Sequence, residues 1–171
     1  MEGDAITRFR ESIEISAPPE VVWELISDIS RHTEFAGPNS VTKSIEFDGP
    51  VAVGTRWIAH EQSGPRKFDA PSEITVVDEG KKLEWVSYPP VKKEEHRGNG
   101  GTCTWGYELT PTEDGTRLEH YTTVLEPRKG AIKLKAMFKV AGIPAKILGG
   151  VRTTLENIRT AAEQQDVNRD R

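Results

Sequence analysis

The chain is poor in cysteine and has no long hydrophobic run. Cys103 is the single cysteine in 171 residues, so no disulfide can form within the chain, and we expect a reducing, cytoplasmic location. No apolar stretch approaches the roughly 20 residues that a membrane-spanning helix requires. The N-terminal stretch MEGDAITRFR begins with acidic residues and lacks an apolar core, so we expect no export signal there.

Groups of metal ligands and phosphate-binding loops are also missing. The four histidines, at positions 32, 60, 96 and 120, are far apart, and no HxxxH or CxxC pair of the kind that organises zinc is present. The glycine-rich stretch HRGNGG, residues 96–101, precedes a predicted strand. A phosphate-binding loop opens a helix instead, so we interpret this stretch as a flexible hairpin loop. The sequence therefore predicts no metal and no cofactor.

The charge balance is that of a soluble globular protein without a nucleic-acid partner. The net charge is −4, with 35% hydrophobic and 29% charged residues, which fits neither disorder nor a nucleic-acid-binding surface. A chain of this length can bury about 70% of the surface that its unfolded form exposes. Without repeats or linkers, we expect one domain over residues 1–171, with the polar tail 164–171 disordered.

The hydrophobic pattern predicts a strand, a short helix pair and a run of further strands. Residues 5–15 alternate apolar and charged side chains, as in a strand with one buried face. In SAPPEVVWELISDIS, residues 16–30, the two prolines end this strand and start a helix that Ser16 can cap. A second short helix is predicted over SDISRHTEF. Further strands are predicted at residues 41–47, 55–62, 66–78, 82–88, 102–110 and 116–126.

The last part of the chain changes to a helical period. Apolar residues recur at steps of three and four: Ile147, Val151, Leu155, Ile158 and Ala162. This spacing predicts a long amphipathic helix that Pro144 either starts or kinks. A sheet with one apolar face must be covered, and this helix is the one predicted element long enough to do so. A curved sheet around a single helix leaves space where side chains do not meet, which is typical of a small-molecule pocket.

Several motifs together resemble a known superfamily. The segments ISAPPEVVWELISDISRHTEF, GPVAVGTRW and YELTPTEDGTRLEHYTTV, followed by a long closing helix, resemble the START/Bet v 1-like (SRPBCC) superfamily over roughly residues 6–163. The bacterial polyketide cyclase/dehydrase-type proteins are the most similar branch. The resemblance implies an α+β helix-grip fold. In this fold a curved seven-stranded antiparallel sheet wraps round a long C-terminal helix, with two short helices after strand 1 and a hydrophobic cavity inside.

The same resemblance implies a range of functions rather than one. Members of the superfamily bind lipids, sterols, hormones, quinones or polyketides, and some cyclise or dehydrate aromatic polyketides. The motifs matched here are features of the fold and not of a catalytic site, so the resemblance alone does not assign an activity.

Aromatic residues on the middle strands are the candidates for lining a cavity. Trp105 and Tyr107 lie on one face of their strand, and Trp57 and Trp85 belong to neighbouring strands. If the mixed face of the following strand points inward, His120 joins Tyr107 as a polar group in an apolar cavity, which is how binding sites orient ligands. The predicted ligand-binding residues are Trp57, Trp85, Trp105, Tyr107, His120, Phe138, Ile147 and Val151.

Two features leave alternatives open. Arg56 and Glu61 lie on opposite faces of the third strand, so only one of them can face the cavity, and the sequence does not choose between them. The segment 128–146 carries six lysines and arginines and no acidic residue. It fits a solvated basic face, the outer side of a lid, or a surface that contacts an anionic membrane.

We expect non-catalytic binding of a hydrophobic small molecule, such as a lipid, a quinone or a polyketide, between the sheet and the C-terminal helix. One alternative is a polyketide cyclase or dehydratase that uses His120 and Tyr107 as its acid/base groups. Another is a protein-interaction or membrane-surface module that acts through residues 128–146. No nucleic-acid partner and no transmembrane segment are expected, and the sequence predicts neither the ligand's identity nor the oligomeric state.

Overall fold

A single antiparallel sheet of seven strands and a long C-terminal helix form the fold. The computed structural model describes residues 5–88, 102–125, 135–136 and 139–169. The strands are β1 (Ala5–Ile15), β2 (Thr42–Glu46), β3 (Arg56–Ser63), β4 (Arg66–Asp78), β5 (Lys82–Ser87), β6 (Cys103–Thr112) and β7 (Gly115–Leu125). The helices are α1 (Pro19–Ser27), α2 (His32–Ala36) and α3 (Ile143–Arg169), with a 3₁₀ turn at Ile29–Arg31.

The strand order across the sheet is β1-β7-β6-β5-β4-β3-β2. Because β1 pairs with the last strand, the sheet brings the two ends of the strand sequence together, and β1 and β2 form its edges. The two short helices follow β1, as predicted. The architecture is therefore the helix-grip fold that the resemblance implied.

Strand alternation and register decide which side chains share the inner face of the sheet, which we define as the face that carries the core. Residues directly opposite each other on antiparallel strands project to the same side. Trp85 lies opposite Trp105, and Trp105 lies opposite Thr122. In the next inner row, Tyr107 and His120 are directly opposite each other. The aromatic and polar candidates of the middle strands are thus on one side of the sheet.

The start of α1 differs from the prediction at Ser16. The N-cap is Pro18, whose φ of −65° and ψ of 154° keep the chain extended, and its carbonyl accepts the N–H of Val21 at 3.0 Å. Ser16 lies too far upstream to reach these first N–H groups, and its own N–H donates to Glu163 at 3.0 Å. The prediction that Ser16 caps this helix is wrong because the two prolines already define the first turn.

The C-terminal helix packs against β1, β7, α1 and α2. Its buried residues are Val151, Thr154, Leu155, Ile158 and Ala162, which confirms the predicted spacing. The helix begins at Ile143, so Pro144 lies in its first turn, where a proline loses no hydrogen bond.

The helix also continues further than predicted. Residues 164–169 are helical rather than disordered, because Gln165 donates to Glu24 of α1 at 2.9 Å and Arg169 also pairs with Glu24. Residues 170–171 of the predicted tail lie outside the described residues. The single domain predicted for residues 1–171 stays a prediction.

Gly106 on β6 makes room for an aromatic ring on the outer face of the sheet. A Cβ atom at this position would lie 2.3 Å from Cζ of Tyr121 on β7. That ring cannot move freely, since its hydroxyl donates to Glu84 at 2.7 Å and the Arg10 guanidinium lies 4.6 Å from its centroid. The Tyr121 ring therefore covers the glycine and closes the gap that the missing side chain would leave.

Replacing Gly106 by alanine should lower the free energy of unfolding by about 2 kcal/mol, because the Tyr121 ring must give up its contacts with Glu84 and Arg10. In a Tyr121→Ala background the same change should cost less than half as much, since nothing then opposes the added methyl group. Urea unfolding of the four variants of this cycle measures both values. Equal costs in the two backgrounds would contradict the steric role of Tyr121.

Candidate functional site

Six rings on the inner face of the sheet form a continuous aromatic surface. Neighbouring ring centroids lie 4.4–6.3 Å apart: Phe47 with Trp57 at 5.9 Å, Trp57 with Trp85 at 6.3 Å, Trp85 with Tyr107 at 5.6 Å, Tyr107 with His120 at 4.4 Å and Trp105 with His120 at 6.0 Å. Such separations are those of interacting aromatic pairs. We call this set (Phe47, Trp57, Trp85, Trp105, Tyr107 and His120) the inner aromatic cluster.

The tautomer of His120 is determined by the backbone of the neighbouring strand. Its Nδ1 lies 2.9 Å from the carbonyl oxygen of Gly106, and a carbonyl can only accept, so Nδ1 carries the proton and Nε2 is an acceptor. Burial, with a smaller contribution from the nearby His32, lowers the pKa of His120 to about 4. At neutral pH the imidazole is therefore uncharged and presents an acceptor nitrogen.

Tyr107 lies beside His120 and supplies a hydrogen-bond donor. Its ring is stacked on that of His120, with 21° between the two planes. Burial raises the pKa of the Tyr107 phenol above its usual range, so the hydroxyl keeps its proton and remains a donor. The pair thus combines one acceptor nitrogen and one donor hydroxyl within an otherwise apolar surface.

Thr122 adds a buried hydroxyl that has no partner. It lies opposite Trp105 on the same inner face, it is fully buried, and its Oγ1 makes no hydrogen bond. A buried hydroxyl without a partner costs about 1–3 kcal/mol, so such groups are uncommon in stable proteins unless another molecule satisfies them. Thr122 faces the same side of β7 as His120, which precedes it by two residues.

His32 is a member of this region that sequence reasoning missed. Its ring lies 5.2 Å from that of Trp85 and 5.8 Å from that of Tyr107. Nε2 donates to the Ile26 carbonyl at 2.7 Å, and burial lowers the pKa of this histidine. From the sequence alone, His32 was interpreted only as one of four histidines with the potential to bind a metal. Its place in the helix pair that follows β1 was the available signal, since those helices cover one end of the sheet.

The burial pattern of β3 shows which of Arg56 and Glu61 faces the core. Trp57 and Ala59 are buried, so alternation puts Glu61 on the inner face and Arg56 on the outer face. Arg56 pairs there with Glu73 at 2.7 Å. Burial raises the pKa of Glu61, and a hydrogen bond from Thr42 partly opposes that effect.

Cys103 shares the inner face but does not fit a nucleophile. Burial, together with the charge of Glu61, raises the pKa of its thiol to about 12. A reactive cysteine requires the opposite shift, toward the thiolate. The side chain is therefore a protonated thiol at neutral pH.

The structure brings most of the predicted ligand-binding residues together. Trp57, Trp85, Tyr107, His120 and Val151 are buried, and Trp105 and Ile147 are half-buried. Phe138 lies outside the described residues, as do the loop 96–101 and much of the basic segment 128–146. The described lysines at 139 and 146 are exposed. Whether these residues contact a ligand stays a prediction.

Two surface depressions bounded by described residues lie away from the inner aromatic cluster. One, of about 310 Å³, lies between residues 16–19 and the β6–β7 hairpin. The other, of about 380 Å³, lies between α2 and the start of β2. Neither is lined by an aromatic or histidine side chain, so neither matches the predicted site.

Over residues 5–88, 102–125, 135–136 and 139–169, no three His, Cys, Asp or Glu side chains are grouped as a metal site. In the same part of the chain, no helix has the length and apolar character needed to span a membrane.

Comparison with known proteins supports the fold. The Zhui aromatase/cyclase of Streptomyces sp. R1128 is 12% identical, with 93% of this chain and 94% of that protein covered at a TM-score of 0.62. A polyketide cyclase-like protein of Corynebacterium glutamicum is 22% identical, with 98% and 95% covered at a TM-score of 0.58. At such identities the likeness concerns the fold alone.

Sequence comparison supplies a relative and a family. An uncharacterised protein of Mycobacterium tuberculosis is 24% identical over 154 residues, which are 88% of this chain and 62% of the relative. The chain therefore spans less than two thirds of that relative's length. Residues 7–163 match the family described as polyketide cyclase/dehydrase and lipid transport. The chain belongs to this family, and with it to the START/Bet v 1-like superfamily.

Proposed function

We propose that the protein binds a hydrophobic small molecule (a lipid, a quinone or a polyketide) against the inner aromatic cluster, between the sheet and the C-terminal helix. The observation that carries this proposal is the combination of a large aromatic surface with a few polar groups on the same face. These are the Thr122 hydroxyl, which is buried and makes no hydrogen bond, the acceptor Nε2 of His120 and the hydroxyl of Tyr107, whose ring stacks on His120. A mainly apolar surface with a few converging polar groups is typical of ligand sites.

Binding fits the electrostatics better than catalysis does. A general base is most effective when its pKa is close to the working pH. The pKa of His120 is lowered to about 4, which makes it a weak base at neutral pH, and Cys103 stays protonated. Both groups suit the recognition of a neutral ligand.

A cyclase or dehydratase is the second candidate, and the His120–Tyr107 pair is the observation that favours it. An acceptor nitrogen and a donor hydroxyl on rings 4.4 Å apart could take a proton next to a carbonyl and hold the resulting enolate. His120→Phe should then abolish turnover of a poly-β-keto substrate while leaving its uptake unchanged. Loss of uptake in this variant would instead assign His120 to binding.

Native mass spectrometry of the protein purified from its own host should detect a retained hydrophobic adduct. In addition, the purified protein should bind the neutral fluorescent probe N-phenyl-1-naphthylamine. Trp105→Ala removes a half-buried ring from the inner face and should weaken probe binding about tenfold, the effect of losing about 1.4 kcal/mol of aromatic contact.

Trp23→Ala is the matched control, because Trp23 is also half-buried but lies on α1. It should leave the affinity for the probe within about twofold of the original value. The absence of both adduct and probe binding would overturn the proposed function.

A further inference from the structure

We propose that Thr122 and His120 together hold a hydroxyl group of the bound molecule, so that the site selects an alcohol or a phenol over a molecule of the same shape without a hydroxyl. The ligand hydroxyl donates a hydrogen bond to Nε2 of His120 and accepts one from the hydroxyl of Thr122. This inference rests on the proposed binding function and goes beyond it by naming a functional group of the ligand.

The buried hydroxyl of Thr122 is the observation that points to a ligand. Thr122 is 0% exposed, and its Oγ1 makes no hydrogen bond. In the part of the chain that the structure describes, the other buried side-chain nitrogen and oxygen atoms all have a partner. Valine has the same shape as threonine and leaves no unpaired polar atom in the core. A threonine at this position is therefore costly unless its hydroxyl finds a partner.

Two half-buried rings lie on either side of Thr122. Phe9 of β1 and Trp105 of β6 are directly opposite it in the register of the sheet, so both project to the same face. Both are half-buried, as is Ile147 of the C-terminal helix, whose fully buried residues begin at Val151. A ligand against the inner aromatic cluster thus has these rings as its contact surface. Because Thr122 is fully buried, the ligand reaches its hydroxyl when one of the rings rotates, and such rotations are common at binding sites.

His120 presents its acceptor nitrogen in a fixed orientation. Its Nδ1 donates to the Gly106 carbonyl at 2.9 Å, which leaves Nε2 as an acceptor. The imidazole lies nearly parallel to the rings of Tyr107 and Trp105, at 21° and 25° between the planes. Turning the imidazole over would break the bond to Gly106, because a carbon atom would then face the carbonyl. The acceptor is therefore oriented before a ligand arrives, which lowers the entropic cost of binding.

The two polar groups together match a hydroxyl. His120 and Thr122 are two residues apart on β7 and leave the same face, with Cα atoms about 7 Å apart along the strand. One oxygen atom between the two side chains is then within hydrogen-bond reach of both. A hydroxyl donates and accepts at the same atom, an ether oxygen only accepts, and a methyl group does neither. A site with this pair discriminates against an analogue without the hydroxyl, because its own buried polar groups then stay unpaired.

Competition against N-phenyl-1-naphthylamine at pH 7 tests this selectivity with three ligands on one ring system: 2-naphthol, 2-methylnaphthalene and 2-methoxynaphthalene. The original protein should bind 2-naphthol about tenfold more tightly than 2-methylnaphthalene, although burial of apolar surface alone favours the methyl compound. The methoxy compound should lose most of this advantage, since it cannot donate to His120. Thr122→Val and His120→Phe should each reduce the preference for 2-naphthol over 2-methylnaphthalene to about threefold or less.

Thr123→Val is the matched control, because Thr123 is the next residue of β7 and faces the outer side of the sheet. It should keep the full preference for 2-naphthol. Thr122→Val should also raise the urea midpoint of the ligand-free protein, since it removes the unpaired hydroxyl, and a lower midpoint would show that the hydroxyl is already paired.

Probe binding without a preference for 2-naphthol, or a preference that survives in Thr122→Val, would overturn the hydroxyl-binding pair while the binding function stands. Equal affinities for 2-naphthol and 2-methoxynaphthalene would overturn the role of His120 as the acceptor. Absence of probe binding would overturn both the pair and the proposed function. Thr122→Val keeps the shape of the core, so it decides the question even if His120→Phe fails to fold.

Discussion

Replacement of Gly115 by alanine is expected to lower the free energy of unfolding by about 3–5 kcal/mol. Gly115 opens β7 with a φ of +152°, a conformation that side chains disfavour. A Cβ atom there would lie 2.2 Å from the carbonyl oxygen of Ile15 and 3.0 Å from the backbone nitrogen of Ala17. Both obstacles are backbone atoms, so no side chain can rotate away to relieve the clash.

This corner of the sheet directs the chain from β1 toward α1. The hydroxyl of Thr116 donates to the Ala17 carbonyl at 2.8 Å, and Ile15 lies opposite Thr116 in the register of β1 and β7. A shift of Ile15 and Ala17 to accommodate a new methyl group would therefore disturb both the pairing of the edge strand and the start of the first helix.

Gly80→Ala separates the steric clash from the cost of the glycine conformation. Gly80 also has a positive φ, +75°, but no atom lies within 4 Å of the point that a Cβ atom would occupy there, so its replacement should cost about 1 kcal/mol. Urea unfolding of both variants measures the difference. A loss at Gly115 no larger than that at Gly80 would show that the corner can relax.

Acidification should destabilise the protein through His120, by about 2 kcal/mol between about pH 7.5 and about pH 5. In the folded state the pKa of His120 is lowered from 6.5 to about 4, so the unfolded chain binds more protons between these values. The stabilising contribution is complete above pH 6.5 and is lost as the pH falls toward 4. His32, whose pKa is also lowered by burial, acts in the same direction.

Two other groups, Glu61 and His60, favour the folded state as the pH falls and therefore act against the effect of His120. The pKa of Glu61 is raised by burial, so between its unfolded and folded pKa values it favours the folded state as the pH falls and opposes part of the histidine effect. The pKa of His60 is raised, mainly by its hydrogen bond to Glu46 and also by that to Asp69. Its contribution is present below pH 6.5 and is lost as the pH rises above that value.

His120→Asn tests the assignment, because its amide can replace the Nδ1 donor to the Gly106 carbonyl but cannot titrate. The variant should lose about 2 kcal/mol of the difference in unfolding free energy between the two pH values. His60→Asn, on the outer face, should keep the loss of stability on acidification and enlarge it slightly, because it removes a group whose contribution has the opposite sign. The same pH dependence in the original protein and in His120→Asn would contradict the buried neutral histidine.

The site was predicted from the sequence as far as local patterns allow. The period of two in β6 and β7 placed Trp105 with Tyr107 and His120 with Thr122, and the register puts these pairs on one face. Face alternation also showed that only one of Arg56 and Glu61 can face the core. The burial of Trp57 in the structure then identified Glu61 as that residue. The prediction at Ser16 was wrong because a capping residue and a double proline compete, and the prolines restrict the backbone more strongly.

The sequence by itself determined the fold and the order of its elements, because these follow from hydrophobic period, turn chemistry and family motifs. Within a strand it determined which residues share a face, and for β3 it did not determine which face is buried. The tertiary structure decided what those residues can do. The tautomer and neutrality of His120, the contact of His32 with Trp85 and the unpaired Thr122 hydroxyl all depend on atoms from strands or helices distant in sequence. Desolvation and hydrogen bonding are properties of the packed neighbourhood, and a local pattern of residues does not contain them.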